Sequence, residues 1–138
     1  MSNLNNKKIA VLLESEFIPE ELQTYREVFE SAGATVHFMS RLWDQPRLTF
    51  FSDQEDPSKT PETFDVDIDL DHVNIDDYSA VIMAANYTSV RLRYFQPPEG
   101  QPVSADQVRN APAVRFFRRA MRRPTIVKGA LRHGLWIL

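Results

Sequence analysis

Near the start of the chain, the five residues IAVLL (9–13) stand behind two lysines as an unbroken apolar run. A run this short, with no polar alternation, suits a strand covered on both faces, as in the middle of a parallel sheet. The stretch after it, FIPEELQTYREVFESAGA, has helical spacing, with Leu22, Tyr25, Phe29 and Ala32 on one face. Pro19 suits a first turn, Glu20 and Glu21 favour the positive end of the helix dipole, and Gly33 is placed to end the helix. ATVHFMS then reads as a second strand. Strand, helix, strand is a βαβ unit, whose right-handed crossover commits the chain to a parallel sheet.

Downstream the pattern loosens. Between Arg41 and Thr63, Pro46, Pro57 and Pro61 punctuate scattered polar residues, which indicates an excursion with a short hairpin. FDVDIDLDHV alternates: Val66, Ile68 and Leu70 point one way, and Asp65, Asp67, Asp69 and Asp71 the other. That predicts a half-exposed strand. AVIMAA is another buried strand, followed by the long irregular segment NYTSVRLRYFQPPEGQPVSADQVRNAP. Asn110 is placed to cap a helix with Pro112 in its first turn and Val114, Phe117 and Met121 as its apolar stripe. Pro124 stops that helix, and TIVKG is a further strand. The fold class is α/β: a flavodoxin-like open, mostly parallel sheet flanked by helices, in a single domain over residues 1–138.

Composition narrows the function classes. A chain of 138 residues can bury a real core, and a net charge of -3 gives no pull towards nucleic acid or an anionic membrane. With no cysteine, disulfides, thiolate catalysis and Cys-containing metal sites are excluded together. The polar start MSNLNNKK and the brevity of IAVLL fit neither a signal peptide nor a membrane span, so a cytoplasmic protein is expected. ESEFIPE after the first strand has no glycine to cradle a phosphate, and no cofactor is implied.

The candidate sites each have a plainer reading. Asp65, Asp67 and Asp69 resemble the start of a calcium loop, but Leu70 stands where that loop needs glycine, and a solvated strand face is favoured. His37, His72 and His133 do not pair at metal-ligand spacing, so no metal site is expected. Arg109, Arg115, Arg118, Arg119, Arg122 and Arg123 cluster around one helix, where a nucleic-acid patch, a phosphate site and a solvated face compete. The acidic chain around them favours the solvated face. VRLRYF lies beyond the carboxyl end of a strand, where open α/β sheets bind ligands. Arg91, Arg93 and Tyr94 could there hold a carboxylate or other polar substrate, or could be tied down by surface salt bridges.

IVKGALRHGLWIL resembles the nucleophile elbow of the PfpI family, which includes the Parkinsonism-associated deglycase branch and is related to class I glutamine amidotransferases. In that family a strand runs through Ala-Ile-Cys-His-Gly, or a close variant, into a helix that activates the thiol. IAVLLESEFIPEEL resembles the family's first strand and the loop carrying the acidic partner of the nucleophile, which the resemblance puts at Glu21. DDYSAVIMAAN resembles the strand that ends in Pro-Gly-Gly, with Ala85 and Asn86 at the glycine pair. By the same resemblance, the backbones of Asn86 and His133 would bind an oxyanion, and His133 is a candidate base.

The departures are as informative. The nucleophile position falls on Arg132, which is cationic and essentially never deprotonated. Family members continue beyond this point, so the resemblance implies a domain lacking its C-terminal strands and closing helix. It also implies a small-molecule substrate or anion as partner, no nucleic acid or membrane, and a homo-oligomer when complete. Intact relatives act on small carbonyl, amide or peptide substrates through a thiolate, which this chain lacks. Two expectations follow: a domain inactive in thiol chemistry, or a non-enzymatic pseudoenzyme or interaction domain whose Arg132 holds a small anion in the old pocket or blocks it.

Overall fold

The structure, a computed structural model, describes residues 4–54, 58–85 and 111–130. Four parallel strands form the main sheet in the order β2-β1-β5-β6: β1 (Lys8–Leu12), β2 (Thr35–Met39), β5 (Ala80–Met83) and β6 (Val127–Ala130). The register aligns Leu12 with Met39 and Met83, and Met83 with Ala130, so all four strands finish at one edge. The IAVLL run is explained by its place between β2 and β5. Ala10, Val11, Leu12 and Leu13 are wholly buried there, each larger side chain contributing roughly 1.5–3 kcal/mol.

Helix α1 (Pro19–Ser31) returns the chain from β1 to β2 and packs on β2. Its N-cap, Ile18, offers no side-chain hydrogen bond, and the first turn instead carries Pro19, Glu20 and Glu21. Its C-terminus closes in a Schellman motif. The Gly33 N–H donates to the Glu30 carbonyl and the Ala34 N–H to the Phe29 carbonyl, both at 3.0 Å. Gly33 has φ of 99°, and a Cβ there would run into the Asn5 side chain.

The excursion after β2 is an antiparallel ribbon of β3 (Leu48–Phe51) and β4 (Thr63–Val66). It docks through Phe64, which meets Phe17 and Phe38 edge-on at 6.0 and 4.9 Å, with the Arg26 guanidinium over Phe38 at 4.9 Å. The Asp-rich strand is shorter than its alternation predicts. Val66 and Leu70 are buried as expected, but the ladder ends at Val66 and a 3₁₀ turn begins at Leu70. Asp69, still extended and bridged to Ser40, caps that turn: its carboxylate accepts the Asp71 N–H at 3.0 Å. A second 3₁₀ turn, Ile75–Asp77, leads into β5.

Helix α2 (Pro112–Met121) packs on both 3₁₀ turns. Its buried stripe is Ala113, Phe116, Phe117 and Ala120: of the expected Val114, Phe117 and Met121, Phe117 is buried, Val114 packs half-buried against the core, and Met121 is 57% exposed. The stripe follows i, i+3, i+4, i+7, with the two alanines letting the helix approach closely. Its N-cap residue is Ala111, not Asn110. Among the described residues no helix is long and apolar enough to cross a membrane.

Candidate functional site

The edge where the four strands finish is where an open α/β sheet binds ligands. Glu21 of the α1 first turn reaches it. Its carboxylate accepts the Ala85 backbone N–H with both oxygens, at 2.9 and 3.1 Å, and the Tyr25 hydroxyl at 2.8 Å. Ala85 is buried just past the end of β5. A carboxylate fixed by a backbone amide and a phenol keeps one orientation, which gives this edge a placed negative charge and hydrogen-bond acceptor.

Tyr25 is the residue that sequence reading assigned only to the apolar face of α1. Its ring does pack there, stacked on Phe29 at 6.1 Å, while its hydroxyl serves Glu21. The available signal was the i, i+4 spacing of Glu21 and Tyr25. Burial first, then the Glu21 charge and hydrogen bond, hold the Tyr25 phenol above its ordinary value, so it remains a donor at neutral pH.

The passage from β1 to α1 is held from the ribbon side. The Glu16 N–H donates to the Phe51 carbonyl at 2.7 Å, the Phe51 N–H to Ser15 Oγ at 3.2 Å and the Asp53 N–H to the Phe17 carbonyl at 2.8 Å. Glu16 itself has a left-handed φ of 72°, and Phe17 is fully buried, so the turn that aims Glu21 is fixed at both ends.

Of the other sequence-predicted site residues, Asn86, Arg91, Arg93, Tyr94, Arg132 and His133 lie outside the described residues, as do Arg109 and Asn110. Glu21 is therefore the site residue whose surroundings are defined. His37 lies on the edge strand β2 and its Nδ1 meets the Tyr78 hydroxyl at 3.0 Å, a structural contact. His72 sits 3.8 Å from Asp69. No group of three or more metal-ligating side chains occurs among the described residues. Asp65 binds Arg47 at 3.1 Å and Thr49 at 2.6 Å, a surface role. On α2, Arg115 pairs with Asp71 at 3.4 Å, and Arg123, beyond the helix end, pairs with Asp76 at 2.7 Å.

No family model matches the chain, and no curated protein matches it in sequence. Solved structures do match. A two-domain protein from Anabaena variabilis with DJ-1/ThiJ/PfpI-like and ferritin-like domains superposes at a TM-score of 0.68 and 17% identity, over 95% of this chain and 31% of that one. A ThiJ/PfpI domain protein from Brachyspira murdochii gives 0.67 and 16%, over 97% and 62%. A DJ-1 superfamily protein from Agrobacterium tumefaciens gives 0.53 and 14%, over 89% and 52%. The chain thus spans less than two thirds of the length of each. The chain, a parallel sheet flanked by helices, shares the α/β fold of these DJ-1/ThiJ/PfpI domain structures.

Proposed function

We propose that this chain is a PfpI-type domain that performs no thiol chemistry of its own. The observation that supports this most directly is the Glu21 carboxylate bound to the Ala85 amide, an acidic residue held at the strand-end edge where the resemblance requires one. Ala130, the last residue of β6, is in register with Met83 at the same edge. Arg132 follows two residues later, within about 7 Å of extended chain. In this reading Arg132 occupies the nucleophile seat, His133 is a candidate base, and the backbones of Asn86 and His133 face a developing oxyanion. Arg91, Arg93 and Tyr94 are the proposed substrate contacts. The activity of intact relatives on small carbonyl, amide or peptide substrates needs a thiolate, and the chain contains no cysteine.

The test exploits that absence. In Arg132→Cys the new thiol is the sole one, and a maleimide probe at neutral pH should label it faster than free cysteine. Adding Glu21→Gln should change that rate. Labelling no faster than free cysteine would remove the elbow assignment. The cation at position 132 favours a second reading of the same site, a pocket holding a small carboxylate. Acetate or succinate should then raise the melting temperature, and Arg132→Ala should abolish the rise.

A further inference from the structure

The segment Ala111–Ala130 carries Arg115, Arg118, Arg119, Arg122, Arg123 and Lys128 and no carboxylate, in a chain with 19 acidic and 16 basic residues. Arg115, Arg118, Arg119 and Arg122 recur at i, i+3, i+4, i+7, so they share one face over about 10 Å of helix axis, opposite the buried stripe. Asp71 and His72 of the first 3₁₀ turn complete the wall of a hollow of about 500 Å³, inside the roughly 300–1,000 Å³ range of small-molecule sites.

The pattern exceeds what helix stability asks. Cations in the last turn suit the dipole, which accounts for Arg118 and Arg119 but not for Arg115. The i, i+4 pairs Arg115–Arg119 and Arg118–Arg122 bring like charges together, which destabilises a helix. The surroundings also hold Arg115 and Arg119 in place. Arg115 is oriented by Asp71 at 3.4 Å, and the Arg119 guanidinium lies 5.8 Å over the ring of the buried Phe116. Arg41 adds charge behind this wall: it is within electrostatic reach of Asp71 and Arg115, and its Nη1 is buried without a hydrogen-bond partner among the described residues. Among the described residues that line the hollow, four guanidiniums stand beside one carboxylate, Asp71.

We propose that this hollow binds a compact oxyanion carrying two or more phosphoryl groups. Guanidinium forks match phosphoryl oxygens in bidentate geometry, and a stripe two turns long spans more than one such group. A nucleic-acid strand fits less well, because the chain carries more acidic than basic residues and Asp71 stands in the lining itself. The hollow uses none of the residues assigned to the strand-end site.

Calorimetric titration of the full chain with sodium tripolyphosphate, at ionic strength matched with sodium chloride, tests the proposal. Saturable one-to-one binding is expected, weakened about tenfold or more by Arg122→Gln and further by Arg119→Gln/Arg122→Gln. Arg132→Ala should bind as the parent does, which separates this site from the strand-end pocket. Both glutamine variants change exposed positions, and their far-UV circular dichroism should match the parent. Absence of binding beyond the salt control, or unchanged affinity in the folded double variant, overturns the proposal. So does a single-stranded oligonucleotide that binds more tightly than tripolyphosphate and loses affinity in the same variants.

Discussion

Glu21 and Ala85, 64 residues apart in sequence, are joined by a carboxylate that accepts one backbone N–H with both of its oxygens, at 2.9 and 3.1 Å. The bond ties the first turn of α1 to the end of β5. Removing it leaves a buried amide without this acceptor, so Glu21→Ala should lower the unfolding free energy by about 1–3 kcal/mol, and Glu21→Gln, which keeps an acceptor, by less. Urea denaturation of the three proteins measures the difference. Equal midpoints would show that the bond contributes nothing.

The phenols of Tyr25 and Tyr78 both sit above the ordinary 10.0, chiefly through burial, with Glu21 and Asp77 respectively adding to it. On raising the pH, the unfolded chain loses these protons first, so the folded state binds more protons and stability falls. The contribution is whole below pH 10.0 and is lost as the pH climbs through the folded values. Tyr25→Phe should flatten part of that alkaline loss, and should cost about 1 kcal/mol at neutral pH through the Glu21 hydrogen bond. Unfolding free energies measured on both sides of pH 10.0 decide it.

In Gly33→Ala the methyl group meets both a left-handed backbone and the Asn5 side chain. The substitution should destabilise by about 1 kcal/mol or more, and a thermal melt suffices to see it.

Phe116→Ala should cost about 3–5 kcal/mol, because the ring is fully buried under α2. Met121→Ala should stay within about 0.5 kcal/mol, because that side chain faces solvent. The reverse order in chemical denaturation would restore the stripe that the sequence suggested.

That contrast marks where sequence reading worked and where it did not. The IAVLL run and the α1 face were legible because each signal is local: the run is buried within the sheet, and Leu22, Tyr25 and Phe29 meet the core from one side of the helix. α2 carries two overlapping apolar sets, and only contact with the 3₁₀ turns puts Ala113 and Phe116 at the centre of the buried face while Met121 is left in solvent. The Asp-rich strand kept its parity, yet its ladder stopped at Val66, and Asp69 went on to cap a 3₁₀ turn by accepting the Asp71 N–H. Glu21 could be placed by resemblance, but its binding to Ala85 depends on a contact between distant parts of the chain, which no local pattern encodes.

The ribbon that interrupts the alternating pattern has a consequence for descent. Its base holds the turn that aims Glu21, through the bonds linking Ser15, Glu16 and Phe17 to Phe51 and Asp53. Insertions and deletions among divergent homologues should therefore gather in the connection between Asp53 and Thr63, and lineages that altered the ribbon's base would have had to rebuild the strand-end edge along with it.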